Sequence, residues 1–71
     1  MNVNKLKGRM VEAGYTQRTL AIATKMSENT LSSKLNARRP FNTDEVLVIC
    51  ELLHITDPVE KAQIFLSKPS Q

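Results

Sequence analysis

The chain has 71 residues, 41% of them apolar, with two Gly, three Pro, one Cys and one His. That length holds one small domain, and single Cys and His residues exclude a disulfide framework, a multi-ligand zinc site and any other metal set of that kind. Charge is segregated: residues 1–41 carry eight Lys or Arg against Glu12 and Glu28, whereas residues 42–71 carry Lys61 and Lys68 against five acids.

A basic half points to a directed partner, with nucleic acid the commonest reason, and a merely solvated surface as the plainer alternative. No apolar run approaches the ~20 residues of a membrane span. The opening MNVNKLKGRM has no continuous apolar stretch of the secretory kind, so a soluble intracellular domain with no membrane partner is expected.

Helical spacing recurs along the chain and no strand pattern does. Val3, Leu6, Met10 and Ala13 form one apolar stripe and Gly14 a stop, which predicts a first helix over about 2–13. Thr16 can cap a short second helix over about 17–24, with Leu20, Ala21 and Thr24 on its inner side. Ser27 caps the next, over about 28–36, where Glu28 opens the first turn and Leu31 and Leu35 lie one turn apart. Residues 37–41 form a loop. Asn42 and Glu45 then make an N-x-x-E capping box, with Phe41 and Val46 placed as its hydrophobic staple. That fourth helix runs through Val46, Ile49, Cys50 and Leu53. Asp57, Pro58 and Glu60 start a fifth over about 58–66, which returns Ile64 and Phe65 to the core. The domain is expected to span 1–66, with 67–71 a flexible tail.

The stretch from Thr16 to Asn36 is the informative one. Two short helices stand about three residues apart, with small Ala21 where the second must cross close to the first. This is a helix-turn-helix in outline, at about 17–36. Leu20, Met26, Leu31 and Leu35 are the apolar set that locks the pair to the domain.

The run Gln17-Arg18-Thr19-Leu20-Ala21, then Met26-Ser27, then Thr30-Leu31-Ser32-Ser33-Lys34-Leu35-Asn36, resembles the helix-turn-helix of phage repressor and Cro-like regulators. It is most similar to a subgroup with a TLSxKLN recognition helix, a basic loop with Phe, and a capped helix ending in ICELL. Here these are Arg38-Arg39-Pro40-Phe41 and Ile49-Cys50-Glu51-Leu52-Leu53. The resemblance covers about residues 3–66. It implies an all-α, five-helix lambda-repressor-like domain that binds a double-stranded DNA operator in the cytoplasm of a bacterial host cell, without a cofactor. On that reading Asn29 bonds an adenine edge, Thr30 offers its methyl to thymine, and Ser32 or Ser33 reaches base edges or phosphate. Ser27 caps the helix or meets a phosphate. Gln17 contacts phosphate, and Lys34, Arg38 and Arg39 flank the groove and neutralise backbone charge.

The sequence departs from the family pattern at four places. Thr24-Lys25 stands where the turn usually has Gly, and a left-handed Lys25 would cost ~1 kcal/mol relative to Gly. Glu28 stands where relatives place a neutral or basic residue, and either reads cytosine N4 or repels phosphate; residues 27–33 contain no Arg or Lys. His54 replaces a frequent C-terminal Gly. Val48 replaces a polar residue, which leaves Leu47, Val48 and Leu52 as a second apolar patch. That patch packs on the fifth helix or contacts another protein, with Val48 its most exposed member.

Each candidate has a plainer reading. Ser27, Asn29 and Thr30 also read as caps and polar surface, and Arg38 and Arg39 as a solubilising loop. Cys50 reads as a small buried hydrophobe and His54 as a helix-end residue. The acids Asp44, Glu45, Asp57 and Glu60 are explained by helix N-termini, so an enzyme is not expected. Two functions stay open. One is a Cro-type regulator acting as a homodimer; the other is an antirepressor that binds a partner repressor's DNA-binding domain, for which Glu28 and the acidic C-terminal half would suit.

Overall fold

The computed structural model describes residues 1–66. The chain is all-α. It contains α1 (Val3–Glu12), α2 (Gln17–Thr24), α3 (Glu28–Leu35), α4 (Thr43–Leu52) and α5 (Pro58–Lys61), and α5 runs on into a π-helical turn, Ala62–Leu66. The tail 67–71 expected to be flexible lies outside the described residues. No helix among the described residues is long and apolar enough to cross a membrane.

Side-chain caps set the helix starts. Asn2 Oδ1 accepts from the Lys5 N–H at 3.1 Å, so α1 begins at Val3. Thr16 caps α2 and Thr19 answers it through the Thr16 N–H at 2.9 Å, a capping box with Thr in the place of the usual Glu or Gln. Ser27 caps α3. The Asn42–Glu45 box predicted for α4 is present in both directions. Asp57 caps α5 with Pro58 in the first turn, where a missing N–H costs nothing.

Four helices end in one recurring closure. A residue with left-handed backbone follows the helix, and the next N–H reaches back to a carbonyl five residues earlier. The left-handed residues are Gly14, Lys25, Ala37 and His54, with φ between 57° and 81°. The bonds are Tyr15 to Met10 at 2.9 Å, Met26 to Ala21 at 2.9 Å, Arg38 to Ser33 at 2.8 Å and Ile55 to Cys50 at 2.8 Å. This closure satisfies carbonyls the helix cannot, and it usually sets an apolar residue against the last turn. Tyr15, Met26 and Ile55 fit that rule and pack on or in the core. Arg38 does not, and is exposed. Lys25 thus adopts the strained conformation considered from the sequence.

The core takes Leu6 and Met10 from α1, Leu20 and Ala21 from α2, Leu31 and Leu35 from α3, and Ile49, Cys50 and Leu53 from α4. Ile55 and Ile64 complete it. Each fully buried Leu or Ile contributes about 1.5–3 kcal/mol. The fifth element differs from the single helix expected over 58–66. Only its first turn is α-helical, and the π-helical turn brings Ile64 into the core while Phe65 lies edge-on to Phe41, ring centres 6.1 Å apart. The Asn2 N–H donates to the Ile64 carbonyl at 2.7 Å and ties the two ends of the domain together.

Candidate functional site

The site is built on the α2–α3 pair. Leu20 and Ala21 face Leu31 and Leu35 inside the core, and small Ala21 lets the two short helices approach closely. The residues between the helices are Lys25, Met26 and Ser27. Met26 is half-buried and packs on the core, so the turn is anchored rather than loose.

With one side of α3 fixed, its other side is determined by helical spacing. Asn29, Ser32 and Ser33 share the solvent side, and Asn36 just beyond the helix continues the row at i+7. Asn29 is exposed, while Ser32 and Ser33 are half-buried. Asn36 was not singled out as a site residue, though its i+7 spacing from Asn29 marks it. Its amide nitrogen donates to the Ser32 carbonyl at 2.9 Å, and its amide oxygen accepts from Lys7 Nζ at 3.2 Å. Lys7 on α1 is therefore brought to the end of α3, a juxtaposition that no local pattern could announce.

The remaining predicted residues are placed in different ways. Glu28 is exposed beside Asn29, and half-buried Gln17 opens α2. Ser27 and Thr30 are engaged with each other: Ser27 Oγ accepts from the Thr30 N–H at 3.1 Å and donates to Thr30 Oγ1 at 2.9 Å. Of the two roles open to Ser27, capping is the one formed.

Lys34 departs from its expected place on the groove flank. It is 8% exposed, and its ammonium lies 2.6 Å from both carboxylate oxygens of Glu45. The reason is angular: Lys34 shares the inward side of α3 with Leu31 and Leu35. Its long stem runs along apolar surface to the start of α4. Glu45 also accepts from the Asn42 N–H at 2.9 Å. The Lys34 and Asn42 hydrogen bonds hold the Glu45 carboxyl below the usual carboxylate range against the opposing effect of burial.

Arg38 and Arg39 are exposed at the end of α3, and among the described residues their guanidinium groups have no hydrogen-bond or ion-pair partner. Arg38 occupies the position that the other three helix closures fill with an apolar residue. On α4 the most exposed member of the apolar patch is Leu47, at 58%, ahead of Val48 at 43%. Leu52 packs against the core and leaves the patch. Helical geometry explains the departure of Leu52, which lies nearer Ile49 and Leu53 around α4 than Leu47 or Val48 does.

Cys50 is buried, and burial raises its thiol pKa, which disfavours the thiolate a nucleophile would need. His54 serves as a left-handed helix-end residue. Among the described residues no group of three or more His, Cys, Asp or Glu is placed to hold a metal ion.

No curated protein matches the sequence. A family model does, over residues 1–67, and by it the chain belongs to DUF739, a family described as of unknown function.

Proposed function

We propose that the chain is a sequence-specific DNA-binding transcriptional regulator of the phage Cro type. In this reading α2 and α3 are the helix-turn-helix of a five-helix lambda-repressor-like domain, and α3 enters the major groove. One observation carries it: the polar row Asn29, Ser32, Ser33 and Asn36 stands on the solvent side of a helix whose inner side is buried, next to exposed Arg38 and Arg39, whose guanidinium groups make no hydrogen bond or ion pair among the described residues. A helix presented in this way offers side chains to base edges and first-turn N–H groups to phosphate. Asn29 reads a base, with adenine the matching edge, and Ser32, Ser33 and Thr30 line the groove. Gln17, Arg38 and Arg39 contact phosphate. Lys34 is spent on Glu45 and sets the pose of α3 instead. Such a regulator works in the cytoplasm of a bacterial host.

The test is binding of the purified protein to the DNA upstream of its own gene, over a salt series. Tight, sequence-specific binding that weakens steeply with salt supports the reading. Equal binding to random DNA at every salt concentration overturns it.

Glu28 favours a second reading. It is exposed at the start of α3, where a carboxylate repels phosphate, and no Arg or Lys lies in residues 27–33. A carboxylate there can instead pair with the groove-reading Arg or Lys of a repressor, which makes the chain an antirepressor. Adding a phage-type repressor bound to its operator separates the two. Absence of DNA binding alone, with release of the repressor from its operator, moves the function to this protein contact.

A further inference from the structure

A groove of about 670 Å³ opens where the loop after α3 meets α4, α5 and the π-helical turn. Its floor is apolar, from Phe41, Val46, Ala62 and Phe65, and its rim carries Arg38, Arg39 and Lys61. None of these three cations has a side-chain hydrogen bond or ion pair among the described residues.

The outer face of α4 has the inverse character. Asp44, Leu47, Val48 and Glu51 are all exposed and spaced i, i+3, i+4, i+7 on one side of the helix. Two apolar side chains are thus bracketed by two carboxylates, neither of which has an ion-pair partner among the described residues. An apolar floor with a cationic rim matches an apolar ridge with acidic ends.

We propose that the groove is occupied by the α4 outer face of a second copy of this chain, reciprocally, in a two-fold dimer. The two surfaces are neighbours on one helix: Thr43 and Val46 line the groove, and Leu47 follows one turn from Thr43. A two-fold axis passing near Thr43 and Leu47 seats each ridge in the other groove at once, and the contact closes instead of propagating. A ridge of four side chains is short beside an interface of about 800 Å² per partner, and association in the micromolar range is expected. Arg38 and Arg39, which the DNA reading sets on phosphate, serve here as the groove's rim, so the dimer is tested without DNA.

Sedimentation of the full chain should show a reversible monomer–dimer equilibrium across the micromolar range. Leu47→Ser with Val48→Ser should weaken it at least tenfold with the helical circular-dichroism signal kept. A variant with a reversed ridge (Asp44→Lys with Glu51→Lys) and one with a reversed rim (Arg39→Glu with Lys61→Glu) should each be monomeric alone. In the first, ridge and rim are both positive, and in the second both are negative. Mixed together, the two should restore a dimer of one copy of each. A wild-type chain that stays monomeric throughout, a dimer indifferent to Leu47 and Val48, an open-ended assembly, or a mixture that stays monomeric would each overturn the proposal.

Discussion

Lys34 of α3 and Glu45 of α4 form a two-pronged ion pair, both carboxylate oxygens 2.6 Å from the ammonium, at the joint between the two helices. The same carboxylate closes the α4 capping box. One side chain therefore starts α4 and fastens α3 to it, and the consequences of breaking the pair depend on which partner is removed. Glu45→Gln leaves a nearly buried ammonium without its counter-charge and should cost about 2 kcal/mol or more. Lys34→Met keeps the apolar stem and should stay within about 1 kcal/mol of wild type. Urea unfolding of the two variants checks this. A larger loss from Lys34→Met than from Glu45→Gln contradicts it.

The pair also gives stability a pH dependence of defined sign. The folded-state pKa of Glu45 is lowered, so around the ordinary carboxylate value of about 4.3 the unfolded chain binds more protons than the folded one. Its stabilisation is complete above that value and is lost as pH falls through the lower folded one. Thermal unfolding of wild type and Glu45→Gln should therefore converge as pH drops below about 4 and diverge as it rises toward neutrality. Parallel curves across that range refute the assignment.

The proposed roles of Asn29 and Arg38 separate specificity from affinity. Asn29→Ala should weaken binding to the operator by about tenfold or more and leave random DNA almost unaffected, because it removes a base contact. Arg38→Ala should weaken both and reduce the salt slope by about 1, because it removes a phosphate contact. Lys34→Met should leave the salt slope unchanged, since its charge is held by Glu45. Titrations of all three on both DNAs at several salt concentrations decide the matter. A Lys34→Met slope that drops like that of Arg38→Ala would place Lys34 on the phosphates after all.

Strain at the helix ends yields a prediction of opposite sign. Lys25, Ala37 and His54 hold left-handed backbone where Gly is at ease. Replacing Lys25 by Gly should stabilise the domain by about 0.5–1 kcal/mol, the relief of the Cβ clash reduced by the extra freedom Gly has when unfolded. His54→Gly should do the same, and the two should add because they close different helices. Differential scanning calorimetry of the single and double variants measures this. Destabilisation at Lys25 would mean that its side chain makes a contact worth more than the strain.

These helix ends also show which parts of the molecule a sequence can declare. Local signals were readable: Thr16, Ser27, Asn42 and Asp57 cap the helices they were expected to cap. Most of the periodic apolar residues entered the core, Cys50 with them, while Ala13, Met26, Val46 and Phe65 are partly buried against it and Val3 stands outside the cluster. What escaped depends on tertiary placement. Ile55 follows a turn and belongs to no helical stripe, yet the closure at His54 turns it inward. Lys34 lies in a polar-looking segment and is buried because α4 delivers Glu45 to it. Asn36 and Lys7 are 29 residues apart and meet only when α1 packs on α3. The exposed order of Leu47 and Val48 likewise depends on the rotation of α4 against the core, and a stripe of three apolar residues does not set that rotation.

Arg9 supplies the most demanding tertiary contact and the last prediction. Its terminal nitrogen donates to the Leu53 carbonyl at 3.2 Å and the His54 carbonyl at 2.9 Å, at the C-terminal end of α4. Another terminal nitrogen meets Glu12 at 3.2 Å, and Nε lies 3.4 Å from a Glu60 carboxylate oxygen. A cation at that end of α4 is favoured by the helix dipole, and the carbonyls it bonds belong to Leu53, which caps the C-terminus of α4, and to left-handed His54. One guanidinium thus joins α1, the end of α4 and α5. Arg9→Ala should cost about 2 kcal/mol, within the range for hydrogen bonds to a charged group. Arg9→Lys should recover less than half of that, because one ammonium cannot reproduce a planar fork that reaches two carbonyls and two carboxylates. Chemical denaturation of the two variants distinguishes the fork from simple charge. Full recovery by Lys would show that charge at the end of α4, and not the geometry of the fork, holds α1, α4 and α5 together.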